Sequence, residues 1–189
     1  MKKSFNKLLV LLNTLFVLTY FCSCGDVQYT APQPSWVTKN ETAFPKSMQG
    51  NYKSGNDTFK ITEDRIMLSK KDFDNDIVLS DSVLLRKWNT TFFLNLLHRN
   101  YSGSNSIGNG SSNTWSVIMA KEEKENLFIY EVRLTDSLTL IKLKEITKVQ
   151  EIKNTSGEIN DFIINPTADE FQKIVKSNLF KADTLIRIK

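Results

Sequence analysis

The 189 residues carry 25 Lys+Arg against 21 Asp+Glu, a formal charge of +4, and 40% of them are apolar. Three of the positive charges, Lys2, Lys3 and Lys7, lie in a leader; without them 22 Lys+Arg face 21 Asp+Glu, and no basic run with interleaved aromatics remains, which excludes a nucleic-acid partner. Both cysteines, Cys22 and Cys24, fall in the first 24 residues, so the rest of the chain can form no disulfide and must rely on a core that about 165 residues can build.

The chain opens with Met1-Lys2-Lys3-Ser4-Phe5-Asn6-Lys7, basic and free of acids, followed by an apolar run from Leu8 to Phe21. That run of about 14 residues falls short of the roughly 20 that a spanning helix needs, and matches the h-region of an export signal. Cys22-Ser23-Cys24-Gly25 ends it. Phe21-Cys22-Ser23-Cys24 resembles the lipobox of bacterial lipoproteins, matching at Ser23 and Cys24, with Phe21 where an aliphatic residue is usual. The resemblance implies that residues 1–23 are removed as a signal peptide. Cys24 then becomes the acylated (palmitate-bearing) N-terminus, holding the protein in the cell envelope on the periplasmic or surface face of a membrane, the outer one by preference. Two or three acyl chains at about 0.8 kcal/mol per buried methylene make a firm anchor.

Residues 24–44 contain Pro32 and Pro34 and lack periodicity, so they are expected as an extended tether, with Trp36 able to dock on the domain. The domain itself is expected over 45–189.

From Gly50 onward the pattern has a period of two. Phe59 and Ile61 alternate with polar residues, and Ile66 and Leu68 follow. Val83 and Leu85 oppose Leu84 and Trp88; Phe92, Leu94 and Leu96 share a face with His98, opposite Phe93 and Leu97. Trp115, Val117 and Met119 alternate, as do Phe128, Tyr130, Val132 and Leu134; Leu138–Ile146 and Phe162–Ile164 are expected as further strands. Asn56-Asp57, Asp74-Asn75-Asp76, Glu122–Asn126 and Asn154–Gly157 supply turns. Thr167-Ala168-Asp169-Glu170 after Pro166 is a capping box, and Phe171, Ile174, Val175 and Leu179 follow at helical spacing. Asp183–Lys189 returns to strand. The expected fold is all-β: a single antiparallel β-barrel or strongly curved sheet, with one C-terminal α-helix and a short final strand.

That order, with Phe44-Pro45-Lys46-Ser47-Met48-Gln49-Gly50-Asn51-Tyr52 at its start, resembles the lipocalins and other calycin-like barrels. Gly50 and Tyr52 stand where that family's first strand carries Gly-x-Trp. The resemblance implies a barrel that takes an apolar small molecule. Phe59, Trp88, Phe92, Phe128 and Tyr130 would line its interior, though as core residues they need no ligand.

Chemistry-bearing motifs are few. His98 is the single histidine, which excludes an ordinary His/Cys zinc site and leaves one base for serine catalysis. Ser104-Asn105-Ser106-Ile107-Gly108 is one residue from a Gly-x-Ser-x-Gly elbow, but no helix follows it. Asp72-Phe73-Asp74-Asn75-Asp76 starts like a calcium loop, yet Ile77 and Val83 stand where glycine and glutamate are needed. No metal and no cofactor is expected. The Ser/Gly/Asn-rich stretch of 101–114 has the length of a binding loop or lid. Asp81-Ser82-Val83, Asp136-Ser137-Leu138 and Asp183-Thr184-Leu185 resemble the acceptor pattern of a bacterial O-glycosylation pathway, implying modification of Ser82, Ser137 and Thr184; the same dipeptides also serve to enter strands from turns. Asn40 and Asn89 would be glycosylated only in a eukaryotic secretory route.

The expected function is that of a membrane-anchored, non-catalytic envelope lipoprotein that binds an apolar small molecule or a partner protein. The alternatives are an accessory subunit of an envelope complex and a carboxylate-dependent hydrolase.

Overall fold

A computed structural model describes residues 25–68, 76–98, 113–124, 126–134, 136–153, 156–177 and 179–188. The strands are β1 (Gly25–Tyr29), β2 (Gly50–Ser54), β3 (Asp57–Ile61), β4 (Arg65–Leu68), β5 (Ile77–Val78), β6 (Val83–Trp88), β7 (Thr91–His98), β8 (Thr114–Glu123), β9 (Asn126–Leu134), β10 (Val149–Lys153), β11 (Ile159–Ile164) and β12 (Phe180–Ile188). The helices are α1 (Ser137–Ile146) and α2 (Ala168–Lys176).

Because successive side chains of a strand point to opposite faces, the two-sided patterning of β6 to β9 demands cover on both sides. The structure provides it. Phe92 and Leu94 of β7 pack with Leu85, Leu127, Ile61 and Leu185 on one face. Phe93, with Val117, Met119 and Val132, packs with Phe162, Phe171 and Ile174 on the other. The second face lies under the helices, and the first is the inside of the sheet's curve.

All twelve strands belong to one sheet. Its main path runs β6-β7-β8-β9-β12-β2-β3-β4-β5, every neighbour antiparallel. The ends of this path meet in the chain itself. Leu79 donates its N–H to Asp64 O at 2.8 Å, Ser80 bridges to Val83, and Leu97 N reaches Ser82 O at 2.8 Å. Among the described residues no ladder joins β5 to β6, so the sheet is curved but not closed.

A second branch enters where β8 and β9 splay. Gly25 and Asp26 pair with Leu134 and Arg133 of β9, Tyr29 pairs with Trp115 of β8, and the opposite edge of β1 runs parallel to β11. The stretch expected as a tether is therefore built into the sheet from Gly25 onward. Thr30–Asn40 then straps across β6 and β7, and Phe44 and Met48 enter the inner core. Pro32 and Pro34 lie in the strap, just after β1, where missing donors are tolerated.

Two other expectations are corrected. Leu138–Ile146 is helix α1, not strand, because Asp136 caps it: its Oδ1 accepts from Thr139 N at 2.7 Å and Thr139 Oγ1 at 2.8 Å. The described residues thus form two helices rather than one. The final strand is not short: β12 runs nine residues between β9 and β2. Helix α2 follows its capping box, with Thr167 and Glu170 satisfying each other's backbone N–H and Phe171 and Ile174 buried.

One end of the inner face is shut by an arginine. Arg187 of β12 stands opposite Tyr52 of β2, with its guanidinium 5.2 Å from the ring centroid and Nη2 donating to Tyr52 Oη at 2.6 Å. Nη2 also donates to Ser47 O, and Tyr52 Oη donates to Met48 O at 2.9 Å. Gly50 takes a φ of +153°, which L side chains rarely adopt, while a Cβ there would meet Arg187 Cζ at an ordinary contact distance of 3.5 Å.

Candidate functional site: a polar end to the inner face

The inner face changes character along β8. Around Ile118 and Ala120 it is apolar; at Thr114, about 20 Å from Ala120 at 3.3 Å per residue, it is polar. Alternation places Thr114 and Ser116 of β8, His98 of β7, Asp26 and Gln28 of β1 and Asp161 of β11 on this face. His98 Nε2 and Ser116 Oγ are 2.7 Å apart, and Thr114 Oγ1 donates to Gln28 Oε1. Thr114 is buried while His98 is exposed.

Two carboxylates meet here without adjacency in sequence. Asp26 and Asp161 are register partners in the parallel β1–β11 ladder, and Arg133 is Asp26's partner on the other side. Partial burial and then the Asp26 carboxylate raise the Asp161 carboxyl above its ordinary range, partly offset by His98. Arg133 is itself engaged, 3.0 Å from Glu131 and 3.8 Å from Asp183. A carboxyl that holds its proton longer, on one face with a second acid, a histidine and a hydroxyl, can donate to or accept from a polar group laid across this end. No group of three or more His, Cys, Asp or Glu among the described residues is placed to hold a metal ion.

The five expected lining residues do not form one lining. Phe59 and Phe92 face the inner core, while Trp88 and Tyr130 pack on the helix side. Phe128, on the same face of β9 as Tyr130, stands opposite Thr184. Lysine ammoniums cover two of the rings, Lys87 at 5.3 Å from Phe92 and Lys121 at 5.6 Å from Tyr130.

Of the three expected modification sites, Ser82 lies half-buried in the turn before β6, its N–H bonded to Ser80 Oγ at 3.3 Å. Ser137 is the exposed first residue of α1, so Asp136-Ser137 enters a helix, not a strand. Thr184 is half-buried in the middle of β12, not at a turn. Cys24, the elbow-like Ser104–Gly108 and most of the Asp72–Asp76 motif and of the 101–114 loop lie outside the described residues. Thr114 is already β8, and Asp76 pairs with Arg65 at 3.3 Å.

Sequence reasoning missed the residues that hold the strap. Asn95 is fully buried in β7, and its amide acts as a substitute strand partner. Its Oδ1 accepts from Gln33 N at 2.6 Å, while Nδ2 donates to Gln33 O at 2.9 Å and Phe93 O at 3.1 Å. Arg86 of β6 donates Nη1 to Pro32 O at 2.7 Å and Pro34 O at 2.9 Å, and Nε to Asn40 Oδ1 at 3.1 Å. Trp36 docks edge-on against Trp88 at 5.3 Å and against Phe171 at 6.0 Å. The one available signal was a lone asparagine interrupting the apolar run Phe92–Leu97.

No helix among the described residues is long and apolar enough to cross a membrane. Scanned against protein-family models the chain matches none, and neither the curated proteins nor the solved structures give a match.

Proposed function

We propose that this chain is an envelope lipoprotein held to a membrane by acylated Cys24, whose β domain is an open barrel that binds an apolar small molecule or a partner protein at the polar end of its inner face. The observation that carries this reading is the course of β1. The residue after Cys24 already pairs with Leu134, and Asp26 and Gln28 of the same strand belong to the polar end. The proposed anchor thus directly precedes the five-residue strand that reaches the candidate binding end. The near-closure at Leu79–Val83 and the Arg187–Tyr52–Gly50 packing support the barrel and its resemblance to the calycins.

Native mass spectrometry of the protein purified from its own envelope tests the binding role. A co-purifying small molecule or partner lost on substitution of His98 or Asp161 is the expected result. A monomer of bare polypeptide mass, with cross-linking in intact cells recovering no neighbour, would contradict it.

The Asp26–Asp161 pair favours a second reading, a carboxylate-dependent hydrolase in which Asp161, whose carboxyl is raised, supplies the proton. Turnover of ester or glycoside substrates that disappears in Asp161→Asn and in Asp26→Asn would select it over binding.

A further inference from the structure

Helix α1 has a face that the domain does not use. Its inward residues are Thr139 and Leu143, both buried, with Leu140 and Ile146 packed against the helix-side core. At 100° per residue, Leu138 and Ile141 point the other way, and their relative exposures are 68% and 50%. They are the only two large apolar side chains so exposed in either helix among the described residues. Exposed Glu145 shares their stripe one turn on, exposed Lys142 lies beside them, and exposed Lys148 follows the helix.

The position of this face ties it to the chain's own start. Gly25 is the register partner of Leu134, and Asp136, two residues beyond Leu134, caps α1. From Gly25 to Leu138 the path is at most about 20 Å, counting about 5 Å across the ladder and 3.8 Å for each residue step. Gly25 is already paired, so no slack chain separates Cys24 from the sheet. An acyl chain on Cys24 would therefore start within about 24 Å of Leu138.

We infer that α1 is a membrane-contact surface. On the reading that Cys24 is acylated, the domain lies flush on the bilayer, Leu138 and Ile141 enter the interfacial region beside the anchor, and Lys142 and Lys148 reach anionic headgroups. Two lysines against one glutamate, Glu145, leave the surroundings of the apolar pair net positive, as suits an anionic surface, and stems of lysine cover apolar surface while their charges stay in water. The polar end of the inner face, whose strand β1 begins at the residue after Cys24, is then held close to the same bilayer. The tip of the β8–β9 hairpin stands away from it, since β9 spans about 27 Å from Asn126 to Leu134.

The test uses the full lipidated protein in phosphatidylethanolamine/phosphatidylglycerol vesicles with brominated acyl chains. No cysteine follows Cys24, so a single introduced thiol takes an environment-sensitive label. Ile141→Cys should be quenched several-fold more strongly than Glu123→Cys at the hairpin tip. With the label at Lys142→Cys, adding Leu138→Asp and Ile141→Asp, both exposed positions, should cut quenching about tenfold, the scale of losing one buried aliphatic side chain. Equal quenching at 141 and 123 in protein that still floats with the vesicles overturns the inference and leaves the anchor standing. Protein that does not float overturns both. A glycan on Ser137 of the native protein overturns it too, because that residue opens the face said to touch lipid.

Discussion

Arg187 and Tyr52 form a stacked and hydrogen-bonded pair across the β12–β2 ladder, with the guanidinium 5.2 Å from the ring centroid and Nη2 2.6 Å from the phenol oxygen. This pair joins the last strand to the first strand of the main path and fills the end of the inner core. Arg187→Met, which keeps the stem but removes the charge, should cost about 1–3 kcal/mol, the scale of a charge-assisted hydrogen bond plus a cation–π contact. Urea unfolding of the variant checks it; an unchanged midpoint would mean that the pair is ornamental.

Within the strap, the buried backbone of Gln33 is held by one side-chain amide, that of Asn95. Asn95→Ala leaves both the N–H and the C=O of Gln33 without their partner in a buried place. At about 1–3 kcal/mol for each unsatisfied group, the expected loss is about 2–4 kcal/mol, allowing for some relaxation. Hydrogen exchange at Gln33 should accelerate with it. If the strap amides stay protected in the variant, Arg86 and Trp36 suffice to hold the segment.

Glu170 couples α2 to pH. Its carboxylate accepts from Thr167 N at 2.7 Å, and this bond, helped by the Thr167 and Thr147 hydroxyls, holds its carboxyl below the ordinary range. The folded pKa lies under the unfolded one, so the contribution is present above about pH 4.3 and is lost as pH falls through the folded value. Glu170→Ala should therefore cost about 0.5–1 kcal/mol at pH 7, and the difference from wild type should vanish near pH 2. A difference that persists in acid would show packing, not capping, to be the cause.

Tyr29 carries the opposite lesson. Its side chain is buried edge-on to Phe171 at 5.9 Å, its hydroxyl has no partner among the described residues, and burial pushes its pKa upward. Tyr29→Phe removes an unsatisfied group and should leave the domain equally stable or more stable by about 1 kcal/mol. Loss of stability on thermal melting would point to a bound water or ligand at that hydroxyl.

Strands β6 to β9 were legible because their alternation is strict and both faces are buried, and α2 because its capping box announces it. Helix α1 was not. Leu138 and Ile141 put apolar residues on its outer face while Thr139 sits on its inner one, so the helical period is blurred and the run reads as strand. Strand β1 was hidden by its length of five residues and by the prolines that follow. The polar end was invisible for a different reason. Asp26, His98, Ser116 and Asp161 come from four strands, and only the insertion of β1 between β8 and β9 brings them to one face.

The central claim is that Cys24 anchors a domain whose sheet begins at the next residue. Intact-mass and N-terminal peptide mass spectrometry of the protein purified from its own envelope tests it most directly. The account predicts a chain that starts at Cys24, lacks residues 1–23 and carries the mass of two or three acyl chains. An N-terminus at Met1, or a Cys24 without lipid, would contradict it.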